Sequence, residues 1–145
     1  MDYRRFGDAL YIRMDRGDEI ISSLLDICKR EGVRSATFSG IGGCSVAEIQ
    51  VFDPDEGSFS TERHEGVLEL VSLMGNVADS GTDEPAWHAH ALFTYLEGDA
   101  HRIASGHLKS ATVLYTAEIE VRPVIGGVIG TAPDAETGTR FWHFE

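Results

Sequence analysis

Residues 86–108 read AWHAHALFTYLEGDAHRIASGHL, two runs of alternating residues joined at Gly98-Asp99. Successive strand side chains point to opposite faces, so this alternation predicts two half-buried β-strands. A two-residue loop with glycine first fits a type II′ turn and makes the pair a hairpin. Such a turn pairs residues equidistant from it, which sets His90 opposite His107 and Leu96 opposite His101. His88 and His90 are one residue apart and share a face. Directly opposed side chains have Cβ atoms roughly 5 Å apart, close enough for the rings of His88, His90 and His107 to converge on one ion. A register slip of one residue would separate His107 from His90.

Working outward, the β signal continues on both sides. VRSATFSGIGG, SVAEIQVFD, FSTERHEG and VLELVSLMGNV precede the hairpin and ATVLYTAEIEV follows it, each a short alternating run. Asp53-Pro54-Asp55-Glu56-Gly57 and Asp79-Ser80-Gly81-Thr82-Asp83 supply turn residues between runs. DALYIRM reads as a first strand. GDEIISSLLDICKREG, residues 17–32, then changes period: Ile20, Ile21, Leu24, Leu25, Ile27 and Cys28 make the stripe of an amphipathic helix. Asp18 is the expected N-cap and Gly32 the expected stop. The reading is an α+β fold, mainly antiparallel β-sheet, with one long N-terminal amphipathic helix. PVIGGVIGTAPDAETGTRFWHFE is expected to be a mobile glycine-rich loop and then a short closing strand.

A chain of 145 residues suits one domain, expected over residues 1–145, and no linker or long repeat divides it. No apolar stretch is long enough for a spanning helix and the N-terminus lacks a signal-peptide core, so the expectation is a cytoplasmic protein without a membrane partner. Cys28 and Cys44 have no metal spacing and are expected to be reduced thiols. The net charge of −12 disfavours contact with phosphate backbones. Arg4, Arg5, Arg13 and Arg16 form the best basic cluster, but Asp2, Asp8, Asp15, Asp18 and Glu19 dilute it. SGIGG, residues 39–43, lacks both a following helix and a P-loop lysine, so it is read as a bend or bulge joining strands.

Three neutral imidazoles leave a coordination position open on Zn²⁺, which suits catalysis or ligand binding more than a closed structural site. Imidazole also serves Ni, Cu, Co and Fe, so spacing does not choose the metal. The alternative is that His88, His90 and His107 are hydrogen-bonded strand residues. Glu65 and Glu118 are candidate proton-transfer groups if the site is catalytic, although TAEIEV is equally well a plain amphipathic strand. His101 lies outside the cluster, and His64 and His143 are single histidines with surface or core roles.

SGIGGCSVAEIQVFD, LELVSLMGNV ending in Gly75-Asn76, HAHALF, and SGHL followed by VLYTAEIEV together resemble the PPC (plant and prokaryote conserved) domain, in order from about Tyr11 to Val121. The resemblance implies a homotrimer of compact α+β subunits whose fold is like that of acetolactate decarboxylases. Those enzymes hold zinc through three histidines, which implies a divalent metal, Zn²⁺ first, on His88, His90 and His107. It also places Asn76 near the site as a candidate ligand-orienting residue, with a strand-end turn as the alternative. Decarboxylase substrate residues do not match. If the protein is an enzyme, a metal-dependent hydrolase or lyase acting on a small molecule is implied. Stand-alone family members carry a DNA-binding label, yet this chain has no AT-hook, since no Arg-Gly-Arg occurs in it. The competing reading is therefore a non-enzymatic, DNA-binding-associated or regulatory interaction module with structural histidines.

Overall fold

The computed structural model describes residues 1–144. Its elements run β1 (Asp2–Phe6), β2 (Ala9–Asp15), α1 (Ile20–Arg30), β3 (Ala36–Asp53), β4 (Ser58–Ala78), β5 (Ala86–Glu97), β6 (Ala100–Pro123), β7 (Ile129–Pro133) and β8 (Arg140–Phe144). The main sheet is antiparallel in the order β1-β2-β6-β3-β4-β5, and a further pairing of β5 with β6 closes it on itself. β6 makes the closure. Its first residues pair with β5, and from His107 onward it pairs with β3.

One row of direct partners follows the wrapped sheet: Arg4, Tyr11, Glu120, Ser39, Met74, His90, His107, Gln50 and Thr61. Partners in such a row share a face. The opposite face is apolar and buried. Leu10, Phe38, Leu73, Phe93, Leu108 and Val113 from the strands meet Ile20, Leu24, Ile27 and Cys28 of α1 in one cluster. Full burial of a side chain such as Phe93 contributes roughly 1.5–3 kcal/mol, and Phe93 is 0% exposed.

Two expectations are corrected by the structure. The long N-terminal helix is a helix of 11 residues, Ile20–Arg30, in a chain that is otherwise overwhelmingly antiparallel β. At its start, Glu19 is held extended by a bridge to Thr112, and the cap is Glu19, not Asp18. The Glu19 carboxylate accepts from Ile21 N at 3.2 Å, Ser22 N at 2.7 Å and Ala111 N at 3.0 Å, so one side chain caps α1 and ties it to β6. Asp18 instead accepts from Asp15 N. At the other end Gly32, at φ 66°, breaks the helical path where the sequence places the stop.

The second difference is strand length. Several expected short runs are continuous strands: β3 has 18 residues, β4 21 and β6 24. SGIGG lies within β3 as an irregular, bulged stretch. A Cβ on Gly40 or Gly42 would lie 2.6 Å from a backbone oxygen of β6, so these glycines let the two strands cross closely enough for the sheet to coil. At the tail, β8 pairs with β7 and adds no strand to the main sheet. Among the described residues, no helix is long and apolar enough to cross a membrane.

A candidate metal centre on the outer face of the sheet

β5 alternates His88 and His90 with buried Ala89 and Ala91, so the histidines are presented outward while the alanines seat the strand on the core. Gly98 at φ 60°, with no non-glycine residue at positive φ among the described residues, fits the type II′ turn that sets the hairpin register. That register puts His90 opposite His107.

The rings converge. His88 Nε2 lies 2.9 Å from His107 Nδ1 and 3.2 Å from His90 Nε2, and the three candidate donor atoms all lie within 4.8 Å of one another. Neighbouring nitrogens of a tetrahedral centre, each about 2.0–2.1 Å from zinc, are about 3.3 Å apart, so the donor set fits such an ion. A ring nitrogen offers one hydrogen or one lone pair. His88 Nε2 must therefore serve two neighbours with one site, whereas a cation accepts all three lone pairs together.

Burial, and then the adjacent His90, hold the His88 imidazole below the ordinary histidine range. Burial leads again for His107, followed by His90 and His88. Both groups therefore stay neutral, as ligation requires, to lower pH than a free histidine. An unfolded histidine titrates at about 6.5, so below that pH the unfolded chain binds more protons than the folded one. Stability of the metal-free protein is expected to fall as pH drops through about 6.5, levelling off beneath the folded values. Proton NMR titration of the metal-free protein is expected to give His88 and His107 midpoints below the ordinary histidine value of about 6.5. Midpoints at or above it would contradict the burial argument.

The surroundings come from three strands, β3, β4 and β8. Met74 is opposite His90, Asn76 is opposite His88, and Gln50 is opposite His107 and donates to Thr61 Oγ1 at 2.9 Å. Phe59 meets the His107 ring edge-on with centroids 5.0 Å apart. Trp142 of β8 donates its indole N–H to Asn76 Oδ1 at 3.2 Å.

The structure brings Asn76 to the histidines and leaves both candidate acids out of the cluster. Glu65 is bound by Arg63 at 2.8 Å opposite Val46. Glu118 is exposed between Arg13 and Ile41. His101 pairs with Leu96, His64 packs against Tyr95 and His143 pairs with Gly130, all outside the cluster. Phe59, Met74, Gln50 and Trp142 escaped the sequence reading. Alternation around the Asp53–Gly57 turn could have placed Gln50 and Phe59 on one face, but no local signal ties Trp142 to Asn76.

The pattern of the Plants and Prokaryotes Conserved (PCC) domain matches residues 1–125. Comparison with curated proteins gives no match. Among solved structures, the chain is similar to a plant- and prokaryote-conserved protein of Pyrococcus horikoshii (29% identity, 98% of this chain and 93% of that one, TM-score 0.81). It is similar to a metal-containing protein of Archaeoglobus fulgidus (27% identity, 99% of both chains, TM-score 0.82). A protein of Bacteroides thetaiotaomicron provisionally described as DNA-binding shares the fold (21% identity, 99% and 96% coverage, TM-score 0.87). The expected likeness to acetolactate decarboxylases is present at the level of fold, in a Staphylococcus aureus protein described as similar to that enzyme (11% identity, 79% and 52% coverage, TM-score 0.56).

Proposed function

The chain belongs to the Plants and Prokaryotes Conserved domain family, and from that premise we propose that it is a homotrimeric metalloprotein whose His88, His90 and His107 hold a divalent ion, with Zn²⁺ the expected one, and bind or act on a small molecule. The observation that carries the reading is the convergence of three ring nitrogens in which His88 Nε2 faces both others. A metal-containing relative at 27% identity supports it.

Such an ion polarises a coordinated oxygen or acidifies bound water, the chemistry of a hydrolase or lyase. The protein's own residues supply the rest. His88 and His107 stay neutral and the wrapped sheet fixes the angle between the two histidine strands. Asn76, with its carbonyl engaged by Trp142, keeps its amide hydrogens for a ligand. Glu65 and Glu118 lie apart from the cluster, so they are not assigned proton transfer. That favours binding, or chemistry whose proton transfer does not run through these two acids.

For the trimer, the support is the same outer face. Phe6, Tyr11, Ile41, Val71, Met74 and Tyr115 are 46–66% exposed there. Ile41, Val71 and Glu118 line two adjoining depressions, one reaching Met74 and the other Tyr115. Clustered exposed apolar side chains of this kind support an interface there. The net charge of −12 opposes direct DNA contact. Elemental analysis of untagged protein prepared without chelator, with light scattering on the same sample, is expected to give one ion per chain and three chains per particle. Protein without metal that also fails to bind added Zn²⁺ would overturn the site and move a partner-docking role to first place.

A further inference from the structure

The histidines stand between two aromatic walls contributed by separate hairpins. On one side Phe52 and Phe59, a cross-strand pair of β3 and β4, meet edge-on at 5.5 Å, and Phe59 continues edge-on to His107 at 5.0 Å. On the other, Trp142 is tied to Asn76, the direct partner of His88. Phe59 and Trp142 remain 49% and 45% exposed, so each offers ring surface that the protein itself does not cover. Two backbone bonds at Asp79, Asp79 N to Ile129 O at 2.9 Å and Thr131 N to Asp79 O at 3.1 Å, fasten the root of the β7–β8 hairpin. The indole bond to Asn76 then fixes its aromatic face beside the histidines. This hairpin follows the residues 1–125 that match the family pattern.

The charge of the donor set narrows the ligand. Three imidazoles contribute no negative charge and, among the described residues, no carboxylate joins the cluster, so a divalent ion held there keeps its charge of two for an incoming group. An anionic oxygen donor satisfies that charge, and flat apolar surface suits rings that prefer edge or offset contact. Resting on the metal reading, we propose that the site selects a small carboxylate carried on a planar apolar body, its oxygen toward the ion and its body between Phe59 and Trp142.

The test uses the full chain loaded with Co²⁺, whose visible absorption reports ligand exchange at the ion, titrated with acetate and with cinnamate. Wild type is expected to bind cinnamate at least about tenfold more tightly than acetate, one good aromatic contact plus its buried area. Trp142→Ala is expected to remove most of that preference, read as the ratio of the two affinities, while leaving Co²⁺ content unchanged. Trp142→Phe, which loses the bond to Asn76 but keeps a ring, is expected to retain most of it. Equal affinity for the two acids in wild type, or an undiminished preference in Trp142→Ala, overturns the proposal while the metal reading stands. Failure of wild type to take up Co²⁺ overturns both.

Discussion

His90→Ala is expected to strip the protein of its metal and leave its fold untouched. The His90 ring projects from the outer face, while its neighbours Ala89 and Ala91 are 2% and 5% exposed on the core side. Truncation at Cβ therefore opens no cavity, and a surface change of this kind alters metal-free stability by no more than about 0.5 kcal/mol. Coordination is another matter. Loss of a single outer-shell partner of a metal ligand already costs 10–100-fold in affinity, so loss of a ligand itself is expected to cost at least about 100-fold. The consequence is visible in melting. Wild type with metal at about a hundred times its Kd gains about 2.7 kcal/mol over the chelated protein, whereas the variant under the same conditions should gain no more than about 0.4 kcal/mol. A variant that retains one ion per chain would remove His90 from the site.

Gly106→Ala is expected to cause a large loss of stability for a single added methyl group. Gly106 lies where β6 leaves β5 for β3, directly before His107. Its φ is +152°, and a Cβ there would stand 2.6 Å from the Gln50 carbonyl oxygen and 3.1 Å from Ile49 and Val51 side-chain carbons. The nearest obstacle is backbone, so relief requires moving β3 away from β6 at the seam that closes the sheet. Strain and overpacking together should cost about 3 kcal/mol, or about 10 °C in Tm at this chain length. Gly98→Ala is the control. Gly98 also has positive φ, yet among the described residues nothing lies within 4 Å of its would-be Cβ, so only the left-handed penalty of about 1–2 kcal/mol applies. Thermal melts of the metal-free proteins compare the two. Equal losses would show that the close approach at Gly106 carries no weight.

What the sequence made legible follows from how local each determinant is. The turn at Gly98-Asp99 and the alternation around it are contained in residues 86–108, so those residues alone encode the pairing of His90 with His107. The α1 stripe was legible for the same reason, but its length was not. The Glu19–Thr112 bridge that ends it on the N-terminal side joins residues far apart in the chain. Likewise, Gly40 and Gly42 announced a bend, while the coil they permit depends on how closely β6 passes. Trp142 reaches Asn76 across 66 positions, and nothing near either residue encodes that meeting.

The pairing of β2 with β6 has a temporal consequence. Leu10, Ile12 and Met14 are buried, and they pair with Val121, Ile119 and Ala117. The Tyr11–Glu120 bond spans 109 positions. During synthesis at 5–20 residues per second, the N-terminal hairpin emerges on the order of ten seconds before the strand that covers it. Through that interval its apolar side chains face solvent, and a helix as short as α1 is marginal by itself. Productive folding of this sheet on the ribosome therefore waits for β6, and until β6 arrives the apolar side of β2 is open to a chaperone.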